Sequence, residues 1–128
     1  MGTNYYFIHK HDKDYKIDTK WVSIRIHRPF KRVFDTKVLH ICKMSMGWAA
    51  LFMKSDYFST YIEFEQFYSE NKKYLKVVDE YNQELSFGDL LELINYRQFK
   101  EPRRLHAKVD LNVYTDPYGY EFMEEEFS

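Results

Sequence analysis

Cys42 is the chain's one cysteine. A lone cysteine excludes an internal disulfide framework and suits a reducing compartment. Missing too is any apolar run approaching the roughly 20 residues that a membrane helix needs. The opening Met1-Gly2-Thr3-Asn4-Tyr5-Tyr6 lacks the apolar stretch of a secretory signal. Nor does charge of one sign prevail: 19 basic and 20 acidic residues leave a formal net charge of −1. That disfavours a protein that coats nucleic acid by bulk charge, and equally an acidic mimic of DNA. No linker or internal repeat interrupts the 128 residues, so 1–128 read as one domain, long enough to bury a core without staples. The expectation is a soluble protein of the cytoplasm with no membrane partner.

What the chain has in excess is aromatic: 12 Tyr and 11 Phe, within a hydrophobic share of 45% that is too high for a disordered chain. Rings in such number either fill a core or supply adhesive surface, and they suit a homodimer. Charge is uneven along the sequence. Cations gather between His9 and Lys43, among them Arg25, Arg28, Lys31 and Arg32, whereas the chain closes on Glu121-Phe122-Met123-Glu124-Glu125-Glu126-Phe127-Ser128. These are either two solvated faces or a dipolar surface that steers a charged partner.

Periodicity places the elements. Asn4–His9 is aromatic and β-branched and reads as a first strand. His11–Lys20 reads as a loop. Trp21–His27 alternates polar and apolar residues as a half-buried strand that Pro29 ends. Val38–Met44 alternates as well, Trp48–Met53 is a compact apolar run, and Ser45-Met46-Gly47 between them predicts a hairpin. Thr60 with Glu63 forms a capping box ahead of the stripe Tyr61, Phe64, Phe67 and Tyr68, which predicts a helix. Lys76–Tyr81 reads as a short strand ending in a turn at Tyr81-Asn82. Ser86 caps a second helix with Asp89 in its first turn and Leu90, Leu91 and Ile94 on its apolar face. After a loop at Pro102-Arg103-Arg104, Val109, Leu111 and Val113 alternate as a strand. Asp116-Pro117-Tyr118-Gly119 is a turn, and Tyr120 and Phe122 begin a return strand. The order predicts a single α+β domain, a mainly antiparallel sheet with two helices.

Chemistry-bearing residues collect in Leu39-His40-Ile41-Cys42-Lys43-Met44-Ser45-Met46-Gly47-Trp48. Backbone N–H groups near Gly47, with Lys43 and Ser45, suit an anion, and His40 and Trp48 complete a candidate ligand site. The phosphate-loop pattern G-x-x-x-x-G-K-[ST] is absent. The alternative is a tight hairpin that needs Gly47 for its backbone angle and Trp48 as a core anchor. By strand alternation His40 and Cys42 share a face, and with His9 and His11 they form a weak zinc candidate. No C-x-x-C or H-x₃-H pair supports a metal site. Cys42, His40 and Asp79 supply the residue types of a nucleophilic set, without spacing that brings them together. Asp79 and Glu80, adjacent on a strand, face opposite ways and form no dyad. The basic stretch Trp21–Lys43 interleaves rings and cations as single-strand binders do, but many of those rings are needed for the core, and nucleic acid is not the expected partner.

Four separated stretches carry a resemblance. Gly2-Thr3-Asn4-Tyr5-Tyr6, the His40–Trp48 segment, Asp79-Glu80-Tyr81 and the terminal Glu126-Phe127-Ser128 resemble, in the same order, a family of small uncharacterised bacteriophage proteins. Its members begin Gly-Thr-Asn-Tyr-Tyr, carry His-Ile-Gly-Lys-Ser-Ser-Ala-Gly-Trp centrally and close near Glu-Phe-Ser. Many of them have a Cys-x-x-Cys pair after the first strand; here that segment reads His9-Lys10-His11-Asp12-Lys13-Asp14, so any metal site of the family is expected to be lost and no cofactor is expected. The resemblance implies a non-enzymatic accessory protein of the bacterial host cell that binds and inhibits a host or anti-phage defence protein. Candidate contacts are Tyr118, Tyr120, Glu124, Glu125, Glu126 and Phe127, with residues 120–128 expected to be removable without harm to the fold. The alternative partner is a phosphorylated or nucleotide signal held by His40, Lys43, Ser45, Gly47 and Trp48.

Overall fold

The structure, a computed structural model, describes residues 2–9, 38–100 and 104–124. The expected loop His11–Lys20, the expected strand Trp21–His27, and the candidate contacts Glu125, Glu126 and Phe127 lie outside the described residues.

Strand β1 is Gly2–His9, β2 is Val38–Ser45 and β3 is Leu51–Met53. Helix α1, Tyr61–Asn71, starts where the capping box predicts, with Thr60 Oγ1 accepting from the Glu63 backbone N–H at 3.2 Å. β4 is Leu75–Asp79 and β5 is Glu84–Leu85. Helix α2, Phe87–Asn95, is capped by Ser86 Oγ at 3.0 Å from the Asp89 N–H. A π-helical turn, Tyr96–Lys100, extends it. A short 3₁₀ turn at His106–Lys108, then β6 at Val113–Thr115 and β7 at Glu121–Met123, complete the order.

The described strands form one sheet in the order β5-β4-β1-β2-β3-β7-β6. All neighbours are antiparallel except β3 and β7, which run parallel. The domain is therefore α+β, as expected. Phe7, Ile41, Phe52 and Phe122 on one face of the sheet pack against Phe58, Phe64 and Phe67 and against Leu90 and Ile94 of α2. Rings dominate this core: Phe52 lies edge-on to Phe64 at 5.1 Å, and Tyr61 stacks on Tyr120 at 3.9 Å. Most of the aromatic excess is thus spent on packing.

Two expectations change. Val109 and Leu111 belong to no strand and are exposed, with β6 beginning only at Val113. Local hydrogen bonds explain this: Val109 and Asp110 N–H donate to the His106 carbonyl, Asn112 N–H donates to Asp110 Oδ1, and the segment folds as consecutive turns. Tyr120 is buried rather than displayed, and β7 lies between β3 and β6 with Phe122 fully enclosed. Removing residues 120–128 would take out an interior strand, so that truncation is not neutral to the fold.

Candidate functional site

The register of β1 against β2 decides where the central segment points. Tyr5 pairs with Cys42 but Tyr6 pairs with His40, so Ile41 is an extra residue in a β-bulge. Tyr5 and Tyr6 face opposite ways, and so do their partners. Ile41 and Cys42 both join the core, while His40 turns to the other face. Strict alternation, which put His40 and Cys42 together, fails at this bulge. Among the described residues no three metal-ligating side chains converge. Cys42 is fully enclosed and burial pushes its thiol pKa far up, so it has neither the access nor the thiolate character of a nucleophile.

His40 is 3% exposed. Its ring stacks on Tyr6 at 4.8 Å, and Nε2 lies 2.9 Å from Asn4 Oδ1. Burial lowers its pKa to about 4, aided by the nearby Lys43 charge and opposed by a backbone hydrogen bond at Cys42. The ring is neutral at pH 7 and presents no surface to a ligand. Asn4 in turn is held by Glu80, whose Oε1 accepts from the Asn4 backbone N–H at 2.8 Å. Asp79 turns elsewhere and accepts from Tyr81 and Gln83 N–H at 2.8 and 2.9 Å. The two carboxylates form no dyad. Three of the four stretches singled out in sequence, Gly2–Tyr6, His40–Trp48 and Asp79–Tyr81, therefore meet on adjacent strands.

Lys43 and Ser45 come together at Gly2. A Cβ at Gly2 would collide with Ser45 Oγ and lie 2.8 Å from Lys43 Cε, so a larger residue there would push these two side chains aside. The turn that follows is a hairpin turn, closed by Trp48 N–H donating to the Ser45 carbonyl at 3.1 Å, with Gly47 at φ +81°. Trp48 is not a core anchor. It stacks on His106 at 4.7 Å and carries the Arg104 guanidinium 5.7 Å from its ring centre. Arg104 N–H donates to the Gly47 carbonyl at 2.7 Å, and Ala49 N–H to the Arg104 carbonyl at 2.9 Å. His40 and Trp48 thus belong to separate clusters, and the five-residue ligand set does not close on one point.

The π-helical turn, which sequence periodicity did not anticipate, links the two candidate regions. Arg97 Nη1 donates to the Ser45 carbonyl at 3.0 Å, and the Gln98 side-chain amide donates to the Gly119 carbonyl. On either side of these tied residues the segment displays Tyr96 and Phe99, which are 52% and 62% exposed. Met46, at the tip of the hairpin turn, is 87% exposed, and Tyr118, at the tip of the Asp116–Gly119 turn, 51%. The available signal was that Tyr96 and Phe99 fall off the Leu90–Ile94 stripe, two large apolar residues on a helix's wet side. Asp116, buried beneath that second turn, organises it. Its carboxylate accepts from the N–H groups of Tyr61 (2.7 Å), Tyr118 (2.9 Å) and Tyr120 (2.8 Å). Tyr118 is presented on a turn fastened to the first N–H of α1. Glu124 is exposed at the far end of β7, beyond Phe122.

No helix among the described residues is long and apolar enough to cross a membrane. No family model, curated protein or solved structure matches the chain.

Proposed function

We propose that this chain is a phage-encoded accessory protein that binds and inhibits a bacterial host or anti-phage defence protein, without turnover of its own. The observation that carries the binding part of this reading is the surface of Met46, Tyr96, Phe99 and Tyr118. Four large apolar side chains stand exposed on two turns and on the π-helical segment tied to both. Solitary exposed hydrophobes are ordinary, but Tyr, Phe and Met are enriched at interaction surfaces, and these four stand on segments tied to one another by hydrogen bonds. The identity of the partner class comes from the resemblance to small phage proteins. Compared with the surface first expected, Tyr118 stays, Tyr120 becomes its buried support, and Met46, Tyr96 and Phe99 join.

The test is native mass spectrometry of the tagged chain drawn from a bacterial lysate, for wild type and for Phe99→Glu and Tyr118→Glu. A stoichiometric bacterial protein is expected with the wild type. Each variant should weaken its capture roughly tenfold or more, as loss of an interface anchor does, with cooperative folding retained because both side chains lie largely outside the core. Capture unaffected by both variants would refute this surface.

The meeting of Lys43 and Ser45 at Gly2 supports a second reading, a site for a phosphorylated or nucleotide ligand at the hairpin turn, which Arg97 and Arg104 flank. It requires neither His40 nor the Trp48 ring. The same spectra separate the two: this reading calls for a few hundred daltons of added mass, lost on Lys43→Ala.

A further inference from the structure

Gln98 is the buried polar residue that the fold does not fully account for. It is 1% exposed and sits in the π-helical turn, a local geometry that recurs at functional sites. Its Nε2 is spent on the Gly119 carbonyl, and its Oε1 has no hydrogen-bond partner among the described residues. An unmet acceptor in the interior is costly, and natural proteins keep few of them. The Nε2 bond fixes where this one lies: next to the turn that displays Tyr118, one residue from Phe99, whose ring stands edge-on to Tyr120 at 6.1 Å. Gly119, at φ +89°, has no atom within 4 Å of where its Cβ would be, so the turn is open on that side.

We infer that Gln98 Oε1 is the polar end of a subsite for an aromatic anchor carrying an N–H or O–H donor, a Trp or Tyr side chain of the bound protein. Phe99 and Tyr118 provide the apolar walls. The occupant has to be apolar in body, because those rings are exposed and water is a poor neighbour for them. It also has to donate, because the group waiting beneath them only accepts. Of the protein side chains, Trp and Tyr combine a large ring with a single donor, and they dominate the centres of interfaces for that reason. Because Oε1 itself is buried, seating the ring requires Phe99 or Tyr118, both surface side chains, to rotate aside. Arg97 and Gln98 keep the backbone of the segment tied to its two turns meanwhile.

This inference rests on the protein-binding reading and names the chemistry of its central contact. The test uses the full chain and two small probes, indole and N-methylindole, followed by ¹H–¹⁵N and aromatic NMR. Indole should shift the Gln98 side-chain amide, the Gly119 amide and the Phe99 ring, and N-methylindole, which lacks the donor, should bind roughly fivefold more weakly. Gln98→Leu should bind both probes alike. The wild-type comparison stands even if that variant folds poorly. Equal binding of the two probes to the wild type would overturn the inference, as would shifts elsewhere on the surface or a buried water that stays on Oε1 while indole is bound. A captured partner that presents no Trp or Tyr at Gln98 would overturn the anchor and leave the protein-binding reading standing. Selective indole binding by a chain that captures no protein would keep the subsite and overturn that reading.

Discussion

His40 shows how burial converts a chemically versatile residue into a structural one. In the unfolded chain its pKa is near 6.5; in the fold, burial beside Tyr6 lowers it to about 4. The unfolded state therefore binds the extra proton between those two values, so the neutral ring's contribution is fully present above pH 6.5 and is lost as pH falls toward 4. The loss should reach on the order of 3 kcal/mol. Urea melts of the wild type between pH 8 and 4.5 should show this decline, and His40→Gln should flatten it. An equal slope in both proteins would mean that other groups carry the acid sensitivity. Glu121 is the contrasting case. Buried on the same face, it is satisfied by His106 N–H at 2.8 Å and Ala107 N–H at 2.7 Å, and its carboxylate serves as the N-terminal anchor of the 3₁₀ turn.

Among the elements, β7 differs most from the role its composition implies. The acidic ending of the chain invites a view of everything after Tyr118 as a projecting tail, yet Glu121–Met123 pairs with β3 on one side and β6 on the other. A chain ending at Gly119 should lose cooperative unfolding altogether, because Tyr120 and Phe122 leave the core and β6 loses its neighbour. A chain ending at Glu124, which keeps β7, should retain a cooperative transition. Circular dichroism melts of the two truncations check this directly. Retention of a cooperative transition by the shorter chain would show that β7 is dispensable. The helices, by contrast, begin where Thr60 and Ser86 say they do, since capping is settled within three residues of sequence. The π-helical turn was not legible in the same way. The stripe Leu90–Ile94 continues to Gln98 at helical spacing, and the segment that departs from the α geometry is tied to distant carbonyls, those of Ser45 and Gly119.

For the molecule as a whole, stability should be graded outward from β1. That strand is paired on both sides over Tyr5–Ile8, by β2 and by β4, whereas β5 and β6 are short strands with one neighbour each among the described residues. Hydrogen exchange by NMR should find the slowest amides in β1 and β2, and the earliest opening at β5 and β6. Uniform exchange across the sheet would contradict this grading. The same topology explains why the candidate surface is assembled as it is. Met46, Phe99 and Tyr118 come from three separated stretches, and only the crossovers of the sheet bring their turns to one framework. Three of the four stretches Gly2–Tyr6, His40–Trp48, Asp79–Tyr81 and Glu126–Ser128 are likewise neighbours because β1 lies between β2 and β4.

By itself the sequence determined the α+β class, both helix starts, the hairpin at Gly47 and the Asp116–Gly119 turn, all of which rest on caps, periodicity and backbone angles that act within a few residues. Asp79 and Glu80 form no dyad, but not by strand alternation: β4 ends at Asp79, and the two carboxylates accept from different backbone N–H groups. What only the tertiary structure decided depends on partners far along the chain. The bulge at Ile41 separates His40 from Cys42, Tyr120 is drawn into the core by Tyr61 and Phe52, and Trp48 is turned toward His106 and away from the interior. Each is a competition between a short-range preference and the packing of large rings. With this many aromatics to enclose, packing prevails wherever the two conflict.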